Sequence, residues 1–148
     1  MRKPEFYSAV YLIIKDNDWK ILSGRRKWNF KNWYFQIIPA WHLEWEETYF
    51  DSAIREAKEE IWIDIKKEDL KIIHISHRIE KNKIVYFDIY IEVEKYYWEI
   101  KICEKEKCSE IWFFDTDNLP DDKFTSYDID AIKKAYSWDS FSEIIYNW

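Results

Sequence analysis

The chain has 148 residues, 47% of them hydrophobic, and a net charge of −6. That length suits one domain spanning residues 1–148, and the apolar share is enough to build a real core. The negative balance argues against general binding to a nucleic-acid backbone, which wants a basic face, but leaves room for a small phosphorylated ligand held through a metal.

No apolar run approaches the roughly 20 residues a membrane span needs, and the opening Met1 to Glu5 is followed by only a short apolar run, unlike a signal peptide. Cys103 and Cys108 sit in a charged segment without further metal ligands nearby, so they read as reduced thiols of a cytoplasmic protein. One figure is abnormal: the chain has 10 Trp and a single Gly, where average usage predicts roughly ten glycines.

In chain order, Phe6 to Lys15 reads as a long strand, with Val10, Leu12 and Ile14 alternating against Tyr11 and Ile13. Asp16 to Trp19 reads as a hairpin turn, where Asp-Gly would be the strong signal and Trp19 is a poor substitute. A second strand runs through Ile21 to Ser23 and ends in Gly24, Arg25, Arg26 and Lys27. The basic cluster reads either as a solvated strand end or as arginines aimed at phosphate. A polar loop follows from Lys27 to Trp33, then a short strand from Tyr34 to Ile38.

Thr48 to Ile61 is the clearest helix: Phe50, Ala53, Ile54, Ala57 and Ile61 recur at helical spacing and form an apolar stripe. Further strands are expected at Leu70–Ile79, Ile84–Glu94, Glu99–Ile102 and Ile111–Phe114. A second helix is expected at Tyr127–Tyr136, and a short strand or turn from Ser140 to Trp148. His74 and His77, three apart on a strand, face opposite sides and cannot readily share a metal; with His42 they read as structural or substrate-proximal.

The chemistry concentrates in the helix and the loop before it. Glu56, Glu59 and Glu60 fall within about one turn and share the face opposite the apolar stripe. Taken as a charge pattern alone, this is as readily a solvated acidic face as a site. A bare helix gains nothing from such repulsion, whereas a hard divalent cation with oxygen ligands would neutralise it.

The spacing is more specific than the charge. Glu47, Arg55, Glu56, Glu59, Glu60 and Ile63 match G-x5-E-x7-R-E-U-x-E-E-x-G-U, where U is aliphatic, and Ala57 fills the first U. Pro39 and Ala40 precede this pattern, and His42, Leu43 and Glu44 lie within it. The stretch resembles the box of the Nudix hydrolase family, MutT-like in layout. The likeness runs on through Lys107 to Glu110, Phe113–Phe114 and Asn118 to Pro120, and covers most of the chain. It implies an α+β fold, an α/β/α sandwich with a mixed curved sheet and a loop-helix-loop that holds metal.

The implied activity is metal-dependent hydrolysis of the pyrophosphate linkage in a nucleoside diphosphate derivative, first a (d)NTP or oxidised nucleotide. ADP-ribose or a nucleotide sugar is the alternative substrate, and a non-catalytic nucleotide-binding module the alternative class. The resemblance assigns Glu56 and Glu60 as ligands of Mg²⁺ or Mn²⁺, Glu59 as a third ligand or general base, and the carbonyl of Ala40 as completing the site. Arg55 and Glu47 become a pair that orients the carboxylates. Arg25 and Arg26 become substrate contacts, and Glu104 or Glu106 a further acid from a later loop. The expected partner is a small nucleotide, with no nucleic-acid polymer and no membrane, bound by a monomer or homodimer.

Both glycines of the box are tryptophan here, Trp41 and Trp62, and Trp45 stands at another usual glycine. Trp19, Trp28, Trp33, Trp98 and Trp138 fall in loop or turn contexts where glycine is ordinary, and Trp112 and Trp148 fit less well. The pattern reads as UGA codons that specify glycine, with Gly24 encoded by a standard glycine codon; the alternative is a chain genuinely rich in tryptophan.

Overall fold

The computed structural model describes residues 3–27 and 34–146. The polar loop beyond Lys27, together with Trp28, Trp33 and Trp148, lies outside the described residues. Among the described residues, eight strands and two α-helices follow one another: β1 (Phe6–Ile13), β2 (Ile21–Arg26), β3 (Phe35–Ile37), β4 (Ala40–His42), α1 (Tyr49–Ile61), β5 (Leu70–Glu80), β6 (Val85–Val93), β7 (Cys108–Phe114), α2 (Ser126–Tyr136) and β8 (Phe141–Tyr146). A 3₁₀ turn at Lys67–Asp69 leads into β5. Among the described residues no helix is long and apolar enough to cross a membrane.

The strands form a mixed five-stranded sheet, in the order β4-β1-β6-β5-β8, and an antiparallel three-stranded sheet, β3-β2-β7. The alternation in β1 divides the molecule. Val10, Leu12 and Ile14 join a core with Ala53, Ala57 and Ile61 of α1. Ala9, Tyr11 and Ile13 join a second core with Ala131 and Ile132 of α2. Successive strand residues point to opposite faces, so one central strand feeds both layers of the α/β/α sandwich. Full burial of Ile61 alone contributes about 2 kcal/mol.

α1 begins where Thr48 caps it, its hydroxyl accepting from the Asp51 amide at 3.2 Å. It ends at Trp62, whose φ is 67°. There the Trp62 amide donates to Lys58 O and the Ile63 amide to Ala57 O, the double bond of a left-handed helix stop. The turn expected at Asp16–Trp19 is also present, with Trp19 at φ 64°. It joins strands of different sheets and closes through a single Lys15–Ile21 bridge.

One expectation is corrected, one open choice is decided, and one strand goes beyond what the sequence pattern shows. Ala40–His42 is a strand, held by antiparallel register from Ala9–His42 to Tyr11–Ala40. Residues 99–102 form none: the amides of Lys101 and Cys103 go to the Ile61 and Glu60 carbonyls at the end of α1. The tail is a true strand, β8, parallel to β5. His74 and His77 do part as expected. His74 is buried between Asp139 O and Ser142 Oγ, and His77 lies 3.7 Å from Glu143.

The α2 side carries a buried polar cluster. Arg78 lies between the rings of Tyr86 and Tyr127, 4.1 Å from each. It donates to both Asp88 oxygens at 2.6 and 3.1 Å and pairs with Glu80. Nearby, Tyr90 donates to Asp128 Oδ1 at 3.1 Å. Asp128 is fully buried, and its Oδ2 has no hydrogen-bond partner among the described residues. Desolvation, reinforced by the Asp88 charge, pushes its carboxyl up to about 7.

An unfolded aspartate titrates near ~4. Between that pH and about 7 the folded chain keeps a proton that the unfolded chain has released, so stability falls as pH rises across this window. Asp128→Asn keeps an acceptor for Tyr90 and removes the charge. It is expected to raise unfolding free energy at pH 8 by about 1–3 kcal/mol, with the gain gone below about pH 4. Urea melts of both proteins at the two pH values check this; an equal gain at both, or a loss at pH 8, would contradict it.

Candidate active site

The carboxylates are organised by one guanidinium. Arg55 donates from Nε and Nη2 to the two oxygens of Glu47, at 2.7 and 2.9 Å, a bidentate fork. Its Nη1 reaches Glu56 at 2.8 Å and Glu59 at 3.0 Å. These bonds hold the Glu47 carboxyl below the ordinary range and push the Arg55 guanidinium up. Helical periodicity supplies the rest: Arg55 and Glu59 are four apart on one face, and Glu47 comes from the loop ahead of the Thr48 cap.

Glu60 sits beside Glu56. Its carboxyl is pushed up to about 8, first by desolvation and then by the charges of Glu56 and Glu104, with Arg26 opposing. Glu104 is there because the chain is pinned to the end of α1. The Cys103 amide donates to Glu60 O at 2.9 Å, and the turn that follows returns the Lys107 and Cys108 amides to Glu104 O. Lys107 Nζ holds Glu104 at 2.9 Å. Glu60, Glu104, Arg26 and Lys107 line one small cavity, while Glu106 points from the same turn into solvent.

A larger cavity of about 350 Å³ adjoins. Arg26, Glu44 and Glu56 give it a charged wall; Ala9, Tyr11, Gln36 and His42 give it an aromatic and neutral polar one. Ala40 and Trp41 of β4 line it as well. Arg26 thus touches both cavities. Arg25 does not: it pairs with Glu110 at 2.8 Å and lies 5.3 Å from the Phe35 ring. The two arginines are separated by strand alternation, with a register shift against β7 between Gly24 and Arg26.

The sequence reading passed over Gln36, Tyr11 and Glu44. Glu44 lay inside the motif, and Gln36 is flanked by the buried Phe35 and Ile37, an alternation that turns its amide away from the core.

The donor set fits a hard divalent cation, since every candidate side-chain ligand is oxygen. Glu60 lies beside Glu56 and Glu104, with burial the main cause of its raised proton affinity and the two carboxylate charges adding to it. Among the described residues no three such side chains already converge as metal ligands; Glu56 and Glu59 meet at Arg55 Nη1 instead.

A NUDIX domain family model matches residues 6–135. Three solved structures share the fold. The MutT NUDIX hydrolase of Burkholderia pseudomallei superposes with a TM-score of 0.71 at 18% identity, over 90% of this chain and 98% of that one. The MutT protein of Bacillus halodurans gives 0.75 at 16%, over 95% and 90%. That of Methanosarcina mazei Go1 gives 0.74 at 15%, over 93% and 97%. At these identities the likeness is one of fold; the family match spans most of the sequence and includes the Arg55-centred carboxylates, and the chain therefore belongs to the NUDIX family of hydrolases.

Proposed function

We propose that this protein hydrolyses the pyrophosphate linkage of a nucleoside diphosphate derivative, a (d)NTP or an oxidised nucleotide, in the cytoplasm and with Mg²⁺ or Mn²⁺. The observation that carries the reading is the pairing of two environments in adjoining cavities. One is a set of carboxylates knit by Arg55, with Glu60 and Glu104 beside them. The other is a pocket with aromatic and amide walls, of a size for a nucleoside.

Glu56 and Glu60 are the residues to hold the ion, with Glu59, Glu104 and the Ala40 carbonyl as further oxygen donors. When bound, such an ion polarises a phosphoryl oxygen and lowers the pKa of a water. The rest is done by the chain itself. Arg55, clamped on Glu47, fixes the direction in which Glu56 and Glu59 point. Glu59, 55% exposed, is free enough to take a proton from an attacking water. Arg26, between the cavities, offers a guanidinium to the phosphates.

Tyr7, His42 and Tyr86 form a ring cluster, with centroids 5.5 to 5.9 Å apart. Because His42 also lines the larger cavity, a base entering there meets aromatic faces to stack on. Gln36 offers it both an amide donor and an acceptor.

Three outcomes are expected. Glu56→Gln and Glu60→Gln each lower turnover at least about 100-fold while the fold is kept, and excess chelator abolishes the parent's activity. Activity rises towards alkaline pH, as a water nucleophile requires. The measurement is phosphate and pyrophosphate release from a panel of (d)NTPs, oxidised nucleotides, ADP-ribose and nucleotide sugars. Turnover that survives chelator, or both substitutions, would contradict the site; binding without turnover would make the protein a nucleotide-binding module.

Arg55→Lys is expected to lower kcat about 10–100-fold with little change in KM, because an ammonium cannot reproduce the fork. Its melting temperature should move little, since Arg55 is 32% exposed. Unchanged kcat would remove Arg55 from the positioning role.

A further inference from the structure

Tryptophan occupies backbone conformations that suit glycine. Trp19, Trp62, Trp98 and Trp138 have φ of 64°, 67°, 80° and 68°. Among the described residues only Glu46 and Lys83 share a positive φ with them. A left-handed φ brings Cβ against the backbone, and for a bulky side chain it is a genuine outlier. Each of the four closes a turn that glycine closes without strain. Trp19 ends the turn after β1, its amide donating to Asp16 O at 3.1 Å. Trp62 stops α1. Trp98 follows the Asp64–Tyr97 bridge. Trp138 follows α2, its amide donating to Ala135 O at 3.3 Å.

The indoles gain little in return. Trp19, Trp98 and Trp138 are 70%, 66% and 94% exposed, and Trp62 is 44% exposed. Their contacts are surface ones: Lys15 over Trp19, Lys58 and Lys101 over Trp62, and Asp64 on the Trp98 indole nitrogen. No core is built on any of the four.

Gly24 shows the converse. It has no positive φ. A Cβ there would lie 2.8 Å from Cys108 Sγ and from Ile38 Cδ1, so a larger residue would need those side chains to shift. Four of the tryptophans thus stand where the backbone turns left-handed, whereas Trp41, Trp45 and Trp112 do not. Selection for an exposed indole does not account for a left-handed backbone beneath it; glycine at those four positions does.

We infer that positions 19, 62, 98 and 138 are glycine in the working protein, their tryptophans being UGA codons that the source organism decodes as glycine. The motif spacing alone extends the assignment to Trp41 and Trp45, which stand at its remaining glycine positions. Neither has a positive φ. Trp41 is 9% exposed and donates to Ser52 Oγ at 3.1 Å. It also lines the cavity that holds Glu56 and Arg26, so glycine there enlarges the approach to those groups. The inference rests on backbone geometry and stands whether or not the protein hydrolyses a nucleotide.

The test compares the full chain with two four-fold variants, one with W19G, W62G, W98G and W138G, the other with alanine at the same positions. Alanine removes each indole but keeps the Cβ that a left-handed φ disfavours. The glycine variant is expected to melt about 10 °C above the parent, and the alanine variant to recover less than half of that gain. A glycine variant that melts at or below the parent, or an alanine variant that gains as much, overturns the inference. Peptide mass spectrometry of the protein from its source organism decides the codon: glycine at positions 41 and 62 supports it, and tryptophan at 62 overturns it.

Discussion

The crowding of negative charge along α1 is the constraint on which the rest of the site depends. Two unit charges 4 Å apart interact by about 1 kcal/mol in water and about 4 kcal/mol near a protein surface. A helix carrying Glu56, Glu59 and Glu60 within one turn therefore needs compensation. Arg55 provides it for Glu47, Glu56 and Glu59. At Glu60, burial and the charges of Glu56 and Glu104 add together, and Arg26 only partly offsets them. The helix tolerates this because its other face is anchored by Ala53, Ala57 and Ile61 against the sheet. Hydrophobic burial holds the repelling groups in place, and the imbalance they retain is what a cation would relieve.

The sheet arrangement brings the remaining parts to that helix. β1 lies between β4 and β6 and supplies both cores, so β4 and the motif that follows start from a fixed platform. The smaller sheet contributes Arg26 from one strand and Gln36 from the next. On the far side, Arg78, Asp88 and Asp128 form a polar cluster walled by Tyr86, Tyr90 and Tyr127. Arg78 and Asp88 offset each other's charge, whereas Asp128, with one oxygen unpartnered among the described residues, opposes folding when ionised. Tyr90 stacks on Tyr11 at 4.9 Å, and Tyr11 lines the larger cavity, so the cluster also sets the position of a cavity wall.

Much of this was legible in the sequence. α1, β5, β6 and α2 have periodicities long enough to identify alone, and their ends fell within a residue or so of expectation. The Arg55–Glu47 pair came from the motif and is present as a bidentate contact. What was hidden depends on partners rather than pattern. β4 is three residues long and is a strand only because β1 pairs with it. Residues 99–102 look like a strand, but their backbone finds acceptors at the end of α1 first. Glu104 and Glu106 are equivalent in sequence; the turn that returns two amides to Glu104 O decides which of them faces Glu60. Arg25 and Arg26 are equivalent in type, and strand alternation separates them.

The end of α1 links the backbone question to the chemistry. The left-handed residue at 62 reverses the chain so that Ile63, fully buried, enters the same core as Ala57 and Ile61. That reversal leaves the Glu60 and Ile61 carbonyls open, and the Cys103 and Lys101 amides take them. Glu104 is delivered beside Glu60 by that pairing. A conformation set at residue 62 therefore fixes the backbone on both sides of the most perturbed carboxylate in the site. Any side chain that resists a left-handed φ at this point strains the stop of the helix, and through it the spacing of Glu60 and Glu104. The left-handed residue 62 is in this sense part of the candidate site's geometry, although it contributes no functional group of its own.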